Sequence, residues 1–221
     1  MKKSLLIFVP FALAIVLVFA CSRSNNHSDS RDQKAQISLV SGQSVPLFSK
    51  EVGKAFPGDS GRNWMRAYMH GRSEESTSYI LHYTDIKQLL DKDGCVGIIY
   101  YNGFDGTNWV VLPYGLTTSG DIIRTDSVAT QNGNINWSQA KAYVLAYQQM
   151  NPDAVKAHFF GSLILYKMGN EKGIKNIRFQ IGTNDHGEQL IMSNADVVNP
   201  DEVYDASKLC PPFCTGSGIT E

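Results

Sequence analysis

Cysteines near the C-terminus carry the most specific chemistry in this chain. Cys210 and Cys214 enclose two prolines and a phenylalanine, and Cys95 lies far upstream. The prolines hold the backbone between the two thiols extended and rigid. Three uses of the thiols remain open: a disulfide, either within the pair or with Cys95, a soft-metal site, and a reactive thiol. Export to an oxidising compartment would favour the disulfide.

A second candidate is the string Gly58-Asp59-Ser60-Gly61, which resembles the serine neighbourhood of chymotrypsin-type proteases. Such a triad places a histidine before the serine, but only His27 precedes Ser60. A GDSL-type lipase would need a buried strand before the serine, which this sequence does not show. We therefore expect Asp59 or Ser60 to cap a helix that begins near Trp64. A hydrolase that uses Ser60 is the least favoured function.

Oxygen-bearing side chains cluster in residues 182–188, but the alternating spacing of a calcium loop is absent. A hairpin turn explains this segment. The five histidines also lack metal-ligand spacing. We predict neither a metal ion nor a cofactor. Separately, Tyr101, Trp109 and Tyr114 form a candidate surface for a protein, peptide or sugar partner. Core and cross-strand packing is the favoured alternative, because strand alternation leaves only one face free.

The N-terminus has the layout of a secretory signal peptide, predicted for residues 1–20. Two lysines precede an uncharged apolar run over residues 5–20. The run ends in Val18-Phe19-Ala20-Cys21, which resembles a bacterial lipobox apart from the bulky Phe19. The resemblance implies cleavage between Ala20 and Cys21 and a diacylglycerol on the Cys21 thiol. Ser22, rather than Asp, implies transfer to the outer membrane, with the protein facing the periplasm or the cell exterior.

Residues 21–36 are polar and lack large apolar side chains, which is typical of a flexible tether. Beyond them lie roughly 185 residues, enough for one large or two small domains. The net charge of −1 argues against nucleic acid, which requires a basic surface. The expected partners are the membrane, through the lipid, and a protein, peptide or sugar.

An internal repeat organises the rest of the chain. The segment beginning at Gly97 aligns without a gap on the segment beginning at Asn176: each has an aliphatic and aromatic run, a glycine, a turn and a second apolar run. Both read as β-hairpins. The upstream similarity extends the units to residues 37–125 and 134–214, and a tail follows at 215–221.

The sequence pattern of each unit predicts a helix, an extended or helical segment, a second helix and a strand hairpin. In the second unit, Ala140, Tyr143 and Val144 share one helical face, and the helix is expected to end at Asn151. The predicted class is α+β, with antiparallel strands covered by helices on one face. The units could pack as two lobes or share one sheet.

Most of residues 134–214 resemble a family of small proteins common in Bacteroidota genomes. The resemblance rests on the helix ending at Asn-Pro, a Lys-Ala-x-x-Phe-Gly stretch, an Ile-Arg-aromatic strand and the terminal Cys-Pro-x-x-Cys. Family members have a Gly-Cys and the terminal cysteines in one unit. Here Cys95 belongs to the first unit, and Ile174 stands at its place in the second. The resemblance implies architecture and no activity.

Together these observations predict a membrane-tethered, non-enzymatic binding or interaction module. A thiol or soft-metal protein centred on Cys210 and Cys214 is the alternative.

Overall fold

The computed structural model describes residues 48–70, 78–170 and 173–210. The predicted signal peptide, the lipidation residue Cys21 and the tether lie outside these residues, as does Cys214. The described part combines helices with strands whose pairings are all antiparallel, which confirms the mixed class predicted from the sequence. None of its helices is both long and apolar enough to cross a membrane.

The elements, in chain order, are β1 (Lys54–Pro57), α1 (Gly58–Met69), β2 (Ser78–His82), α2 (Tyr83–Leu90), β3 (Gly97–Phe104), β4 (Trp109–Leu116), β5 (Ile122–Ile123), β6 (Val128–Thr130), β7 (Gly133–Ile135), α3 (Trp137–Met150), β8 (Ala157–Gly161), α4 (Ser162–Gly169), β9 (Asn176–Asn184), β10 (Gly187–Asn194), β11 (Glu202–Asp205) and β12 (Lys208–Cys210).

Two five-stranded sheets take strands from both halves of the chain. Sheet A has the order β1-β11-β10-β9-β2, and sheet B has the order β12-β8-β3-β4-β5. The early strand β2 therefore pairs with the late hairpin β9–β10, while the late strand β8 pairs with the early hairpin β3–β4. This interleaving differs from both predicted arrangements, two self-contained lobes and a single shared sheet.

Aromatic side chains join the facing surfaces of the two sheets. Tyr100 of sheet B lies 4.9 Å from Phe179 of sheet A, and Tyr79 of sheet A lies 6.3 Å from Trp109 of sheet B, between ring centroids. Such pairs contribute about 0.5–1.5 kcal/mol each beyond their buried area. Because both rings of the first pair are fully buried, the core lies between the sheets.

The long helices cover the outer faces of the sheets. An added Cβ at Gly182 of β9 would lie 3.1 Å from Trp64 of α1, and one at Gly103 of β3 would lie 3.3 Å from Tyr143 of α3. Side chains alternate along a strand, so these glycines face away from the inter-sheet core. The layers therefore run from α1 through sheet A and sheet B to α3.

Helix α3 ends as predicted, whereas α1 does not begin as predicted. Asn136 caps α3 by accepting a hydrogen bond from the Gln139 amide, and Asn151 follows its last residue. Helix α1 begins at Gly58, with Pro57 before it and no side-chain cap, so the prediction that Asp59 or Ser60 caps a helix starting near Trp64 is wrong.

Close packing explains why the first turn of α1 contains two glycines, Gly58 and Gly61. A Cβ added at Gly58 would lie 2.0 Å from the Pro200 carbonyl oxygen, and one at Gly61 would lie 2.7 Å from a Val203 methyl. The Gly58 amide also donates to the Asp201 carbonyl. The Gly-Asp-Ser-Gly string therefore seats α1 against β11 and brings Trp64 over the sheet.

Candidate functional site

The cysteines separate into two environments. Cys95 is buried and free, and its Sγ donates to the Gly97 carbonyl oxygen at 3.3 Å. Cys210 is disulfide-bonded, so its partner lies outside the described residues and is not Cys95. The suggested Cys95–Cys210 pairing is therefore wrong. Burial raises the pKa of the Cys95 thiol, which makes it a poor nucleophile at neutral pH.

The aromatic residues proposed as a binding surface lie mostly in the core. Tyr101 and Tyr114 are buried and pack against each other, with ring centroids 5.7 Å apart. They face α3, which the hairpin sequence alone did not reveal, so the surface assignment is wrong for both. Trp109 is half-buried, and its Nε1 donates to Asn102 Oδ1 at 3.0 Å.

Ser60 lies in the first turn of α1 and is half-buried. Within the described ranges, no hydrogen bond joins it to a histidine. Its neighbours Gly58 and Gly61 have the packing role given above. None of the described residues therefore forms a triad with Ser60.

A groove at one edge of sheet A combines polar and aromatic groups, and we name it the Asp205 groove. Its volume is about 550 Å³. Phe56, Trp64 and Leu209 form its apolar wall, while Asn184 and Asp205 contribute polar groups. Lys54, Asp185 and His186 lie at its exposed margin.

Strand register places these residues together. Lys54 pairs with Asp205 and Phe56 pairs with Val203 across β1 and β11. Paired residues share a face, and Val203 faces Gly61 of α1. Asp205, two residues after Val203, is therefore on the α1 side of the sheet. Trp64 meets Phe56 edge to face at 5.0 Å between ring centroids.

Asp205 is the most unusual group in the groove. Its residue is only 1% exposed. Asn184 Nδ2 donates to its Oδ2 at 3.1 Å, while its Oδ1 is buried and has no hydrogen-bond partner among the described residues. Burial raises the pKa of this carboxyl to about 6, against the lowering effect of the Ala206 and Ser207 amides and of His186.

The backbone next to Asp205 adopts a costly conformation. Ala206 has φ of 63°, in the left-handed region that residues with a Cβ rarely occupy. It is the non-glycine residue with positive φ within the described part of the chain. Strain of this kind tends to occur at functional sites, where surrounding contacts hold it in place. Here it turns the chain between β11 and β12.

A buried histidine lies behind the groove. The Nδ1 of His158 is 3.0 Å from the Ser207 Oγ, and Ser207 lines the groove. His158 is 1% exposed, and burial lowers its pKa to about 3. The ring is therefore neutral at physiological pH.

Two other cavities lack a comparable buried group. One of about 580 Å³ is lined by the half-buried Asp85 of α2, by the exposed Asp91 and Asp126, and by Arg124. The other, of about 250 Å³, includes Trp109, Tyr68 and Tyr147. In the part of the chain that the structure describes, no cluster of three or more His, Cys, Asp or Glu side chains could hold a metal ion.

Sequence reasoning missed this site. Residues 185 and 186 were interpreted only as a turn, which they are: β9 ends at Asn184 and β10 begins at Gly187. No local pattern marks Asp205 as part of a site, because it ends a short strand and simply follows the apolar residues Val203 and Tyr204. Its burial arises from α1 and β1, about 140 residues earlier in the chain.

No protein-family model, curated protein or solved structure matches the chain. The chemistry of the groove is therefore the basis for a function.

Proposed function

We propose that this protein is an exported, lipid-anchored binding module that holds a ligand in the Asp205 groove. The lipobox-like Val18-Phe19-Ala20-Cys21 supports the anchor, and the polar segment that follows supports a tether to the membrane. The lipid restricts the module to a bacterial membrane, most simply the outer one. The groove then faces the periplasm or the cell exterior.

One observation carries the binding proposal: the buried, unpartnered Oδ1 of Asp205. Leaving a buried acceptor unsatisfied costs about 1–3 kcal/mol. A ligand that donates a hydrogen bond to this oxygen recovers part of that cost. The half-buried aromatic wall supplies apolar contact area beside it.

Binding is a better interpretation than catalysis because, among the described residues, no effective base is hydrogen-bonded to a nucleophile in the groove. Ser207 is hydrogen-bonded to His158, but the histidine pKa of about 3 leaves the ring unable to retain a proton taken from a hydroxyl. Asp205 is a carboxylate without a described nucleophile hydrogen-bonded to it.

The order of elements supports a duplicated origin. Helix α1, strand β2, helix α2 and the β3–β4 hairpin are matched by α3, β8, α4 and the β9–β10 hairpin. We infer two copies of one α+β unit that have exchanged their first helix and strand. Membership of the Bacteroidota family is part of this proposal.

The alternative function, a soft-metal or thiol site, depends on the redox state of the C-terminal cysteines. We propose that Cys214 is the disulfide partner of Cys210, because Cys95 is free and Cys21 is assigned to the lipid. A disulfide withholds both thiolates from a metal. Zinc or copper bound by the protein as purified from its membrane would favour this alternative.

Two experiments test the proposed function. Metabolic labelling with an alkyne fatty acid is expected to tag the wild-type chain and not the Cys21→Ser variant; a labelled variant would refute the anchor. The second experiment is a thermal-shift screen of amines, carboxylates and neutral alcohols. At least one compound should raise the unfolding temperature of the wild-type protein and leave that of Asp205→Asn unchanged. If all compounds fail to stabilise the wild-type protein, or act equally on both proteins, the groove is not the binding site.

A further inference from the structure

The chemistry of the Asp205 groove is specific enough to name a ligand class. Its floor holds one carboxylate with an unsatisfied oxygen, and its wall is formed by Phe56, Trp64 and Leu209. A complementary ligand has a positively charged head that donates hydrogen bonds, attached to an apolar stem. Aromatic side chains also attract cations held within about 6 Å of the ring centroid.

We propose that the Asp205 groove binds an organic cation, a primary ammonium or guanidinium group on an apolar stem, with the charged head on Asp205 Oδ1. The inference rests on the proposed binding function and deepens it. A free alkylamine and the lysine or arginine side chain of a peptide present the same chemistry.

An organic cation fits better than a metal ion. Calcium needs six to eight oxygen ligands and magnesium a near-octahedral set. Among the described residues, the groove offers no cluster of acidic and histidine ligands of that kind. An ammonium ion instead brings three donors of its own, so a single open acceptor can anchor it. Asn184 occupies the other carboxylate oxygen and fixes its orientation.

The charges at the margin set the specificity. Lys54 lies directly across the strand pair from Asp205, yet no ion pair joins the two within the described residues. Lys54 repels a cationic ligand, while Asp185 attracts it. For an anionic ligand the effects are reversed: Lys54 would attract it and Asp185 would repel it. Substitution of Lys54 therefore distinguishes the two ligand classes.

Acidity should weaken cation binding through Asp205. Protonation of Asp205, whose pKa is about 6, removes the anionic partner. Between pH 7 and pH 5 this alone reduces the apparent affinity about tenfold, by proton linkage. The Asp205→Asn variant retains the Lys54 and Asp185 charges, so it isolates the part due to Asp205.

The test uses the full mature lipoprotein in nanodiscs and isothermal titration calorimetry. The cationic probes are n-butylammonium and Nα-acetyl-lysine methylamide. Their matched controls are butanol, butyrate and the Nε-acetylated lysine derivative. We expect both cations to bind the wild-type protein and the neutral and anionic controls to bind at least tenfold more weakly.

The variants complete the design. Asp205→Asn should weaken cation binding at least tenfold, and Asp185→Asn, an identical charge change at the exposed margin, by less than about threefold. Lys54→Gln should strengthen it about two- to threefold, since a repulsive charge is removed. Binding of only one cationic probe would assign the source, a free amine or a peptide side chain.

Three results would overturn the cation proposal. The first is tighter binding of butyrate than of n-butylammonium, and the second is equal binding of butanol and n-butylammonium. The third is cation binding whose affinity does not fall from pH 7 to pH 5. The last needs no variant and so remains decisive if Asp205→Asn fails to fold. Asp205-dependent binding of butanol or butyrate would still support the broader binding function. No binding by any probe would count against both.

Discussion

Replacing Asp205 with Asn should stabilise the protein relative to wild type, and this gain should be larger at neutral pH than at acid pH. Asn keeps the side-chain shape and can still bond Asn184, but it cannot ionise. Burial raises the pKa of Asp205 from its ordinary value of 3.8 to about 6 in the folded protein. A pKa difference of about 2 corresponds to about 3 kcal/mol at 1.36 kcal/mol per unit.

The sign follows from proton linkage. The folded state holds the Asp205 proton more tightly than the unfolded state. Below about pH 3 both states are protonated, and Asp205 costs nothing. As the pH rises from 3 to 6, the unfolded state loses its proton first and wild-type stability falls. By about pH 7 the full cost of the buried charge is present. The difference in free energy of unfolding, Asn variant minus wild type, should therefore grow by about 3 kcal/mol between pH 3 and pH 7.

Urea unfolding followed by circular dichroism at half-unit pH intervals measures this difference. Contributions from His158 and from the other carboxyls occur in both proteins and cancel. The Asp185→Asn variant is the control, because it makes the same charge change at an exposed carboxyl, where burial imposes no such cost. A flat profile for Asp205→Asn, or one that falls from pH 3 to pH 7, would refute the argument that Asp205 is ionised against a burial penalty.

Three further predictions concern packing, histidine burial and thiol state. Gly61→Ala should cost about 1–3 kcal/mol of unfolding free energy, because its Cβ meets Val203 at 2.7 Å. Ser60→Ala in the same turn should change it by less than about 0.5 kcal/mol in urea unfolding; equal effects would contradict the packing role of Gly61. The pKa of His158 is lowered to about 3 in the fold, so wild-type stability should fall as the pH drops below 6.5. Relative to His158→Gln that loss should reach about 1.6 kcal/mol between pH 6.5 and pH 5, and a His158 imidazole signal that titrates near pH 6.5 in the folded protein by NMR would disprove it. Cys95 should resist Ellman's reagent in the native protein and react after unfolding without reductant, since it is a buried free thiol; rapid labelling of the native chain at Cys95 would exclude that burial.

Short-range patterns in the sequence identified several elements. The two hairpins were found because apolar runs flank a glycine and a turn, and they form as β3–β4 and β9–β10. The end of α3 was found at Asn151, before a proline, because the residue preceding proline avoids the helical conformation. In each case the determining residues are neighbours in the chain.

Signals that depend on distant contacts were missed or misassigned. Asp59 or Ser60 was expected to cap a helix beginning near Trp64, because the packing partners of the flanking glycines, Pro200 and Val203, are far away in sequence. Tyr101 and Tyr114 were considered as a surface, because the cover supplied by α3 was not apparent. The sequence left the pairing of the cysteines open, whereas the fold leaves Cys95 free.

The sequence by itself determined the residue types, the hairpins and the end of α3, because turn chemistry and apolar periodicity act over a few residues. Only the tertiary structure decided which hairpin each early strand joins and where Asp205 lies. That carboxylate gains its chemistry from register with Lys54 and Phe56, from cover by Trp64 and from the hydrogen bond of Asn184. Burial of a charge is a property of the assembled environment, so no local pattern around residue 205 encodes it.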